Sequence, residues 1–286
     1  MTELQPSVLA AIDGSRSAES VCDYASWIAR VIGAELKLLH TISTTLTPVS
    51  SDLSGSIGLG AQDELLNELT NLERQRSKLL LEKGRLMLEA SKDRAQRSGA
   101  ANVTVMQRHG DLVESLIELE EDTRVLVMGI RGESHDGAES GLGNKLESVL
   151  RSLHRPMLVV NSAFVEPKTI LLAYDGGDSA TKALNMVASS PLFKSVHCHV
   201  VYAGKEASGA ALLKKSEEVL SDAEVECTTH CIEGDLGKQI ADLQSKYDVD
   251  MTVMGAYSHG KLRDFLVGSL TTEVLKNTAK PLLFLR

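Results

Sequence analysis

Short runs of apolar residues alternate with longer amphipathic stretches along the whole chain. Runs such as VLVMG and LLFL are apolar at every position, which is typical of parallel strands covered by helices on both faces. The alternation of such strands with helical patterns predicts an open α/β sandwich in each half of the chain. The predicted strands lie near 7–13, 35–41, 102–108, 124–129 and 157–161, then near 169–175, 196–203, 225–232, 250–255 and 282–286.

The two halves carry the same four landmarks in the same order, which indicates a tandem duplication. An apolar run ending in Asp-Gly is followed by Gly-Asp-Leu, by Met-Gly, and by a glycine that precedes a helix and a proline-led final strand. These landmarks fall at 13–14, 110–112, 128–129 and 143–156 in the first copy and at 175–176, 234–236, 254–255 and 268–281 in the second. We therefore predict domains at 1–162 and 168–286, joined by a short linker.

The first copy is the longer one because it carries an insert at about 43–98. Residues 43–60 are rich in Ser, Thr and Gly and predict a loop, whereas 61–98 predict a long, charged helix. The second copy has only a short predicted helix near 206–222 at that place. Because the loop follows the second strand, it either covers a ligand at the carboxyl end of the sheet or simply connects to the helix.

Composition and charge exclude several classes of partner. The formal net charge is -9 with a sequence pI near 5.4, and no basic run is interleaved with aromatics, so we expect neither nucleic acid nor an anionic membrane as partner. No apolar run approaches the roughly 20 residues that span a bilayer, and MTELQPSVLAAIDGS does not resemble a secretory signal. The four scattered cysteines suit a reducing compartment. We therefore expect a cytoplasmic protein.

The segment after the fourth strand of each half has a glycine pattern that suits phosphate binding. The two runs are MGIRGESHDGAESGLGNK at 128–145 and MGAYSHGKLRDFLVGSLTT at 254–272. Glycines let the backbone approach phosphates and adopt positive φ, and the free amides of a helix N-terminus bind anions.

These runs resemble the ATP-binding motif of the universal stress protein family. That motif has a glycine, two residues, a second glycine, nine residues, and then Gly-Ser or Gly-Thr opening the last helix. The resemblance covers nearly the whole chain apart from 43–98. It implies two tandem open parallel-sheet domains of the Rossmann-like, adenine-nucleotide alpha hydrolase-like type.

Carried over by position, the resemblance implies residues in both halves that hold ATP or AMP, with Mg²⁺ accompanying ATP. The two aspartates would lie near the adenosine, although an aspartate in an Asp-Gly turn also serves as a cap. The glycines and helix starts would cradle phosphate, although they also serve as plain helix N-caps. The candidate residues are Asp175, Gly255, Ser258, Gly268, Ser269, Leu270 and Thr271 in the second half, and Asp13, Gly129, Gly132, Gly143 and Asn144 in the first.

Neither motif matches the family pattern completely. In the first half the second spacer has ten residues, and Asn144 stands where Ser or Thr is usual. In the second half Ser258 replaces the second glycine. Asn caps a helix about as well as Ser, whereas a serine is disfavoured where positive φ is required. We therefore expect at most one well-formed ATP site.

A histidine and cysteine cluster in the second half raises the question of a metal. Imidazole and thiolate ligands suit zinc, but the spacing is irregular, and alternation along a strand sends Cys198 to the face opposite His197 and His199. Buried free cysteines and ordinary strand histidines explain the cluster more simply, so no metal site is predicted. The weak metal candidates are His197, His199, Cys227, His230 and Cys231.

Three functions stay open on the sequence alone. The leading one is an adenine-nucleotide-binding stress-response or signalling protein, and the others are a slow ATPase or adenylating enzyme of a related fold and a scaffold that binds no nucleotide. YDGGDS at 174–179 resembles the phosphate loop of ATP pyrophosphatases, but it lacks the first serine and is one residue too short. No catalytic residue is predicted.

The family resemblance also implies how the two domains associate. Single-domain members pair through their last strand, so we expect 157–161 and 282–286 to meet and the two domains to form a pseudo-dimer. Such pairing would bury two otherwise exposed sheet edges. A homodimer of whole chains is compatible with this arrangement.

Overall fold

The computed structural model describes residues 6–42, 59–133, 144–255 and 269–286. Most of the predicted loop, at 43–58, lies outside the described residues.

Ten strands and eight α-helices make up the described part of the chain. The strands are β1 Ser7–Ala11, β2 Leu36–Ile42, β3 Val103–His109, β4 Thr123–Gly129, β5 Met157–Val160, β6 Thr169–Ala173, β7 His197–Ala203, β8 Cys227–Ile232, β9 Met251–Gly255 and β10 Leu282–Leu285. The helices are α1 Ala18–Ile32, α2 Leu59–Arg97, α3 Leu112–Glu118, α4 Asn144–Ser152, α5 Asp178–Ser189, α6 Glu206–Asp222, α7 Leu236–Lys246 and α8 Ser269–Asn277.

All ten strands lie in one sheet, in the order β3-β2-β1-β4-β5-β10-β9-β6-β7-β8. Every pair within a half is parallel. At the centre β5 and β10 pair antiparallel, with Val159 opposite Leu282 and Met157 opposite Phe284. From the outer edge of the sheet to its centre, the two halves thus have the same strand order. Their final strands, β5 and β10, are hydrogen-bonded neighbours.

Helices cover both faces of this sheet and enclose two apolar cores. One core contains buried residues of α1, α2, α5 and α6, and the other contains buried residues of α3, α4, α7 and α8. Burial on both faces explains why the strands are apolar at nearly every position. Among the described residues, no helix is long and apolar enough to cross a membrane.

The Gly-Asp-Leu landmark marks the same local structure twice. Gly110 and Gly234 have φ of 118° and 101°, which favours glycine. The following Asp111 and Asp235 cap α3 and α7, since their carboxylates accept hydrogen bonds from backbone amides at 2.7 and 2.8 Å.

Contacts at the centre of the sheet tie the two halves together beyond the strand pair. The Arg286 guanidinium donates hydrogen bonds to the carbonyls of Arg151 and Leu153, at 2.8 and 2.7 Å. The amide of Asn161 donates to the carbonyl of Thr278 at 3.0 Å. The end of the chain is therefore bonded to the first half.

Candidate functional site

The two predicted aspartates occupy equivalent places at the carboxyl edge of the sheet. Asp13 follows β1, and one oxygen of its carboxylate accepts a hydrogen bond from the Ser15 amide at 3.0 Å. Asp175 follows β6 and accepts from the Gly177 amide at 2.8 Å. Each aspartate thus closes a local turn, as the capping interpretation expects, and also lines a cavity where ligands bind in open α/β sheets.

The motif glycines are needed for close approach and not for positive φ. A Cβ on Gly255 would lie 2.7 Å from the backbone nitrogen of Ala180, and a Cβ on Gly129 would collide with the hydroxyl of Ser17. Glycines with positive φ do occur in the chain, but Gly129, Gly132 and Gly255 are not among them. The expectation of positive φ is therefore wrong for these three. Instead, β4 ends against the start of α1, and β9 ends against the start of α5.

The first-half cavity is basic and partly filled by the chain itself. It encloses about 450 Å³ and contains Arg76 and Lys83 from α2 together with Arg131, Gly132 and Lys145. Glu133 also lines it: its amide donates to the second carboxylate oxygen of Asp13 at 3.0 Å, and its carboxylate pairs with Lys83.

The position of Glu133 leaves little room around Asp13. The Glu133 carboxylate lies against Gly14, whose Cβ would be 2.6 Å from the carboxyl carbon. A Cβ on Gly132 would in turn lie 3.1 Å from the Asp13 carboxylate. A ligand that hydrogen-bonds Asp13 must therefore compete with Glu133.

The described lining of the second-half cavity is acidic, whereas that of the first is basic. It encloses about 510 Å³, and its charged lining residues among the described parts are Asp175 and Asp235. Val201, Leu236 and Met254 supply apolar wall.

The remaining predicted site residues are placed only in part. Ser258, Gly268 and Gly143 lie outside the described residues. Asn144 begins α4, and Ser269 and Leu270 begin α8. Thr271, in the first turn of α8, is buried.

In the histidine cluster, His199 of β7 and His230 of β8 stack against Tyr247, which directly follows α7. Nδ1 of His199 lies 2.9 Å from Nε2 of His230, and both rings stack on Tyr247 with centroids 4.5 and 4.4 Å apart. The Tyr247 hydroxyl lies 3.2 Å from the other nitrogen of His230. His197 bonds instead to the Thr228 hydroxyl at 3.0 Å. Both ring nitrogens of His230, Nδ1 of His199 and Nε2 of His197 thus have protein partners.

The cysteines of the cluster lie elsewhere. Cys198 is buried in the core on the opposite face, as alternation predicts, and Cys227 packs against that same core. Cys231 donates from its thiol to the Gly204 carbonyl at 3.5 Å. Within the described ranges, no group of three or more His, Cys, Asp or Glu side chains is placed to hold a metal ion.

Burial and neighbouring charge change the protonation of this cluster. Burial, followed by the neighbouring histidines, lowers the pKa of His199 to about 4. Burial, followed by Lys246 and His197, also lowers the pKa of His230. Burial thus favours the neutral form of both rings, and the ring that accepts the hydrogen bond between them must be neutral.

The sequence did not point to Glu133 or Lys83. Glu133 directly follows a motif glycine, but nothing in its surroundings predicts that its amide bonds Asp13. Lys83 lies in the insert, outside the family resemblance, and reaches the cavity only because α2 packs beside β2 and β3. Both depend on long-range packing.

An open, parallel α/β sheet with a cavity at its carboxyl edge in each half defines a Rossmann-like tandem protein. A profile of the universal stress protein family matches residues 6–161 and 166–286, so the chain belongs to that family. The universal stress protein Slr1230 of Synechocystis is 34% identical over 284 residues, which are 98% of this chain and 99% of that protein.

Solved structures show the same fold over the whole chain. A universal stress protein from Archaeoglobus fulgidus superposes with a TM-score of 0.71 at 21% identity, covering 100% of this chain and 99% of that one. A functionally unknown protein from Pseudomonas aeruginosa superposes with a TM-score of 0.61 at 18% identity, covering 98% and 92%. The arrangement of two joined halves therefore recurs in crystal structures.

Proposed function

We propose that this universal stress protein is a cytoplasmic adenine-nucleotide-binding protein of stress response or signalling, with one well-formed ATP site in its second half. The observation that carries the proposal is the cavity of about 510 Å³ around Asp175 at the carboxyl edge of the sheet. Its volume is in the range of small-molecule sites.

The lining of this cavity suits the adenosine part of a nucleotide. Val201, Leu236 and Met254 offer apolar surface to a purine ring, and the Asp175 carboxylate accepts hydrogen bonds from ribose hydroxyls. Asp175 is oriented for this by the hydrogen bond from the Gly177 amide. The phosphates would extend toward the residues after Gly255 and the amides that open α8, which suit anions, with Mg²⁺ bound to ATP.

The first-half cavity is the weaker site in this proposal, even though its cations suit phosphate. Glu133 already bonds Asp13 and neutralises Lys83, so binding there costs the loss of both contacts. The contacts of Glu133 in the first-half cavity support the proposal that the second half carries the better ATP site. We propose nucleotide binding as the function.

The two halves would act as a pseudo-dimer. The antiparallel pairing of β5 with β10 supports this, because it joins two five-stranded units of the same strand order. The same symmetry supports the proposed domains at 1–162 and 168–286. A nucleotide in one half could thereby alter the surface that the whole chain presents to a partner.

The test is titration calorimetry of the full chain with ATP and AMP, alongside mass spectrometry of ligand retained through purification. We expect one tight site for the wild type, weakened at least tenfold by Asp175→Asn and by Gly268→Val, which is about 1.4 kcal/mol or more. Asp13→Asn is the matched control and should leave that site unchanged. Two equivalent tight sites, or no binding of either nucleotide, would overturn the proposal.

A further inference from the structure

A third cavity, of about 170 Å³, lies between the two halves, and we call it the junction cavity. Its lining includes Leu158 of β5 and Leu283 of β10, which are paired directly opposite each other at the centre of the sheet. Val125 of β4 and Met251 of β9, at equivalent positions of the repeat, line it on either side of that pair. The junction cavity thus lies across the axis that relates the two halves, and no described lining residue is shared with the cavities at the carboxyl edge.

The helices beside the junction cavity differ between the halves. Trp27 of α1 and Ser189 of α5 each lie fourteen residues after the aspartate of their Asp-Gly landmark, and Ile28 corresponds in the same way to Ser190. All four residues line the cavity, and the small serines leave space on the side of the second half. The remaining lining residues are Ile32, Arg124, Met186, Leu192 and Phe193.

Trp27 brings a buried hydrogen-bond donor to this cavity. Its side chain is only 4% exposed, and its indole N–H has no hydrogen-bond partner among the described residues. A buried donor without an acceptor costs free energy, and such groups are normally paired in native structures. An acceptor on a bound molecule would therefore satisfy the Trp27 N–H.

The other polar groups of the lining are already bonded or exposed. The Ser189 hydroxyl donates to a backbone carbonyl of α5 at 2.8 Å, and the Ser190 hydroxyl accepts from the Leu192 amide at 3.3 Å. Arg124, the only charged lining residue that the structure describes, is exposed. A buried water needs two to four polar partners, so a mainly apolar molecule fits this lining better than water does.

We propose that the junction cavity binds a small, neutral, mainly apolar molecule whose one hydrogen-bond acceptor is bound by the Trp27 N–H. An apolar protein cavity of about 150 Å³ holds one benzene molecule, so a cavity of about 170 Å³ suits one substituted ring. Ligand sites are commonly apolar with a few polar groups, and they occur preferentially between domains. Because both halves supply the lining, the bound molecule contacts both of them at a place remote from the carboxyl edge.

The first test compares two ligands of nearly the same shape by methyl NMR of the full chain. In α-methylstyrene a methylene group replaces the carbonyl oxygen of acetophenone, so only acetophenone can accept from Trp27. We expect both ligands to shift the methyl signals of Met186 and Met251, which line the cavity.

The two dissociation constants are then measured again in Trp27→Phe, which keeps an aromatic ring but removes the donor. We expect their ratio to change by about threefold to tenfold in favour of α-methylstyrene, which corresponds to the net contribution of one hydrogen bond. The ratio cancels the difference in hydration of the two ligands, because both proteins are titrated in the same buffer.

The second test leaves Trp27 in place and fills the junction cavity instead. Leu192 is half-buried on the second-half side, and Leu192→Trp should abolish the methyl shifts caused by both ligands. Ile117→Trp is the matched control, since Ile117 is 47% exposed on α3, and it should bind both ligands as the wild type does.

Several outcomes would overturn the proposal. They are unchanged methyl signals with acetophenone, the same ratio of dissociation constants in the wild type and Trp27→Phe, and undiminished binding to Leu192→Trp. Tighter binding of benzoate than of acetophenone would show that Arg124 selects an anion, and a neutral ligand would then be wrong.

Discussion

The backbone amide of Glu133 donates a hydrogen bond to the carboxylate of Asp13 at 3.0 Å. The other oxygen of Asp13 accepts from Ser15, so both oxygens of this carboxylate have a backbone donor. The equivalent turn at Asp175 keeps the hydrogen bond from Gly177. The two halves thus share a fold and a turn, but in the first half a side chain of the motif segment lies in the space that a ligand would use.

Removing the Glu133 side chain should improve nucleotide binding to the first half. Glu133→Ala deletes the carboxylate that lies against Gly14 and frees Lys83 for a phosphate. We expect ATP affinity of the first half to rise about tenfold, equivalent to about 1.4 kcal/mol, measured by calorimetry in an Asp175→Asn background. Glu114→Ala, which removes an exposed carboxylate on α3, is the control. No gain in affinity would show that Glu133 does not occlude the site.

Substitution of the motif glycines should cost unequal amounts of stability. Gly255→Ala places a Cβ 2.7 Å from the backbone of Ala180, which cannot move independently of α5, so we expect a loss of about 1–3 kcal/mol. In Gly129→Ala the obstacle is the Ser17 hydroxyl, and the added substitution Ser17→Ala should recover part of the loss. Urea unfolding followed by circular dichroism measures both. If Ser179→Ala restored as much stability to Gly255→Ala as Ser17→Ala restores to Gly129→Ala, this explanation would be contradicted.

Stability should fall as the pH decreases through the range set by His199. Its pKa is lowered to about 4 in the folded protein and is about 6.5 in an unfolded chain. The unfolded state therefore binds more protons between these values, so the contribution is complete above about pH 6.5 and is lost as pH falls toward about 4.

The pH dependence can be assigned to this histidine by substitution. We expect His199→Gln to flatten the decrease of the melting temperature between about pH 7.5 and pH 5. His109→Gln, at an exposed position, should leave the wild-type slope unchanged. A slope that is the same in all three proteins would exclude the histidine pair as its source.

The ion pair between Arg94 and Asp23 should anchor α2 measurably. It is bidentate, and the Asp23 side chain is only 17% exposed, so Asp23→Asn is expected to cost about 1 kcal/mol. Glu147→Gln breaks an exposed pair with Arg151 on one helix and should change the stability by less than about 0.5 kcal/mol. Comparable losses in the two variants would mean that the packing of α2 does not depend on the Arg94 pair.

The sequence predicted the fold more completely than the site. Strand positions followed mainly from apolar runs, because a parallel strand buried on both faces must be apolar throughout, and the resemblance to the family implied that β5 would meet β10. The glycine motifs predicted Gly129 and Gly255 as site residues, but not that a Cβ there would collide with Ser17 or Ala180, because those residues lie far away in the sequence. The hydrogen bond from the Glu133 amide to Asp13 joins residues far apart in the sequence, so no local sequence pattern predicts it.

The pairing of β5 with β10 also determines when the protein can finish folding. β5 is synthesised well before β10, and a chain folds from its N-terminus as it emerges from the ribosome. Until β10 has left the ribosome, the first half presents the four apolar residues of β5 as an open edge, to which another nascent chain could add. A truncation before β10 would therefore yield a polypeptide prone to aggregation, although it retains every element of the first half.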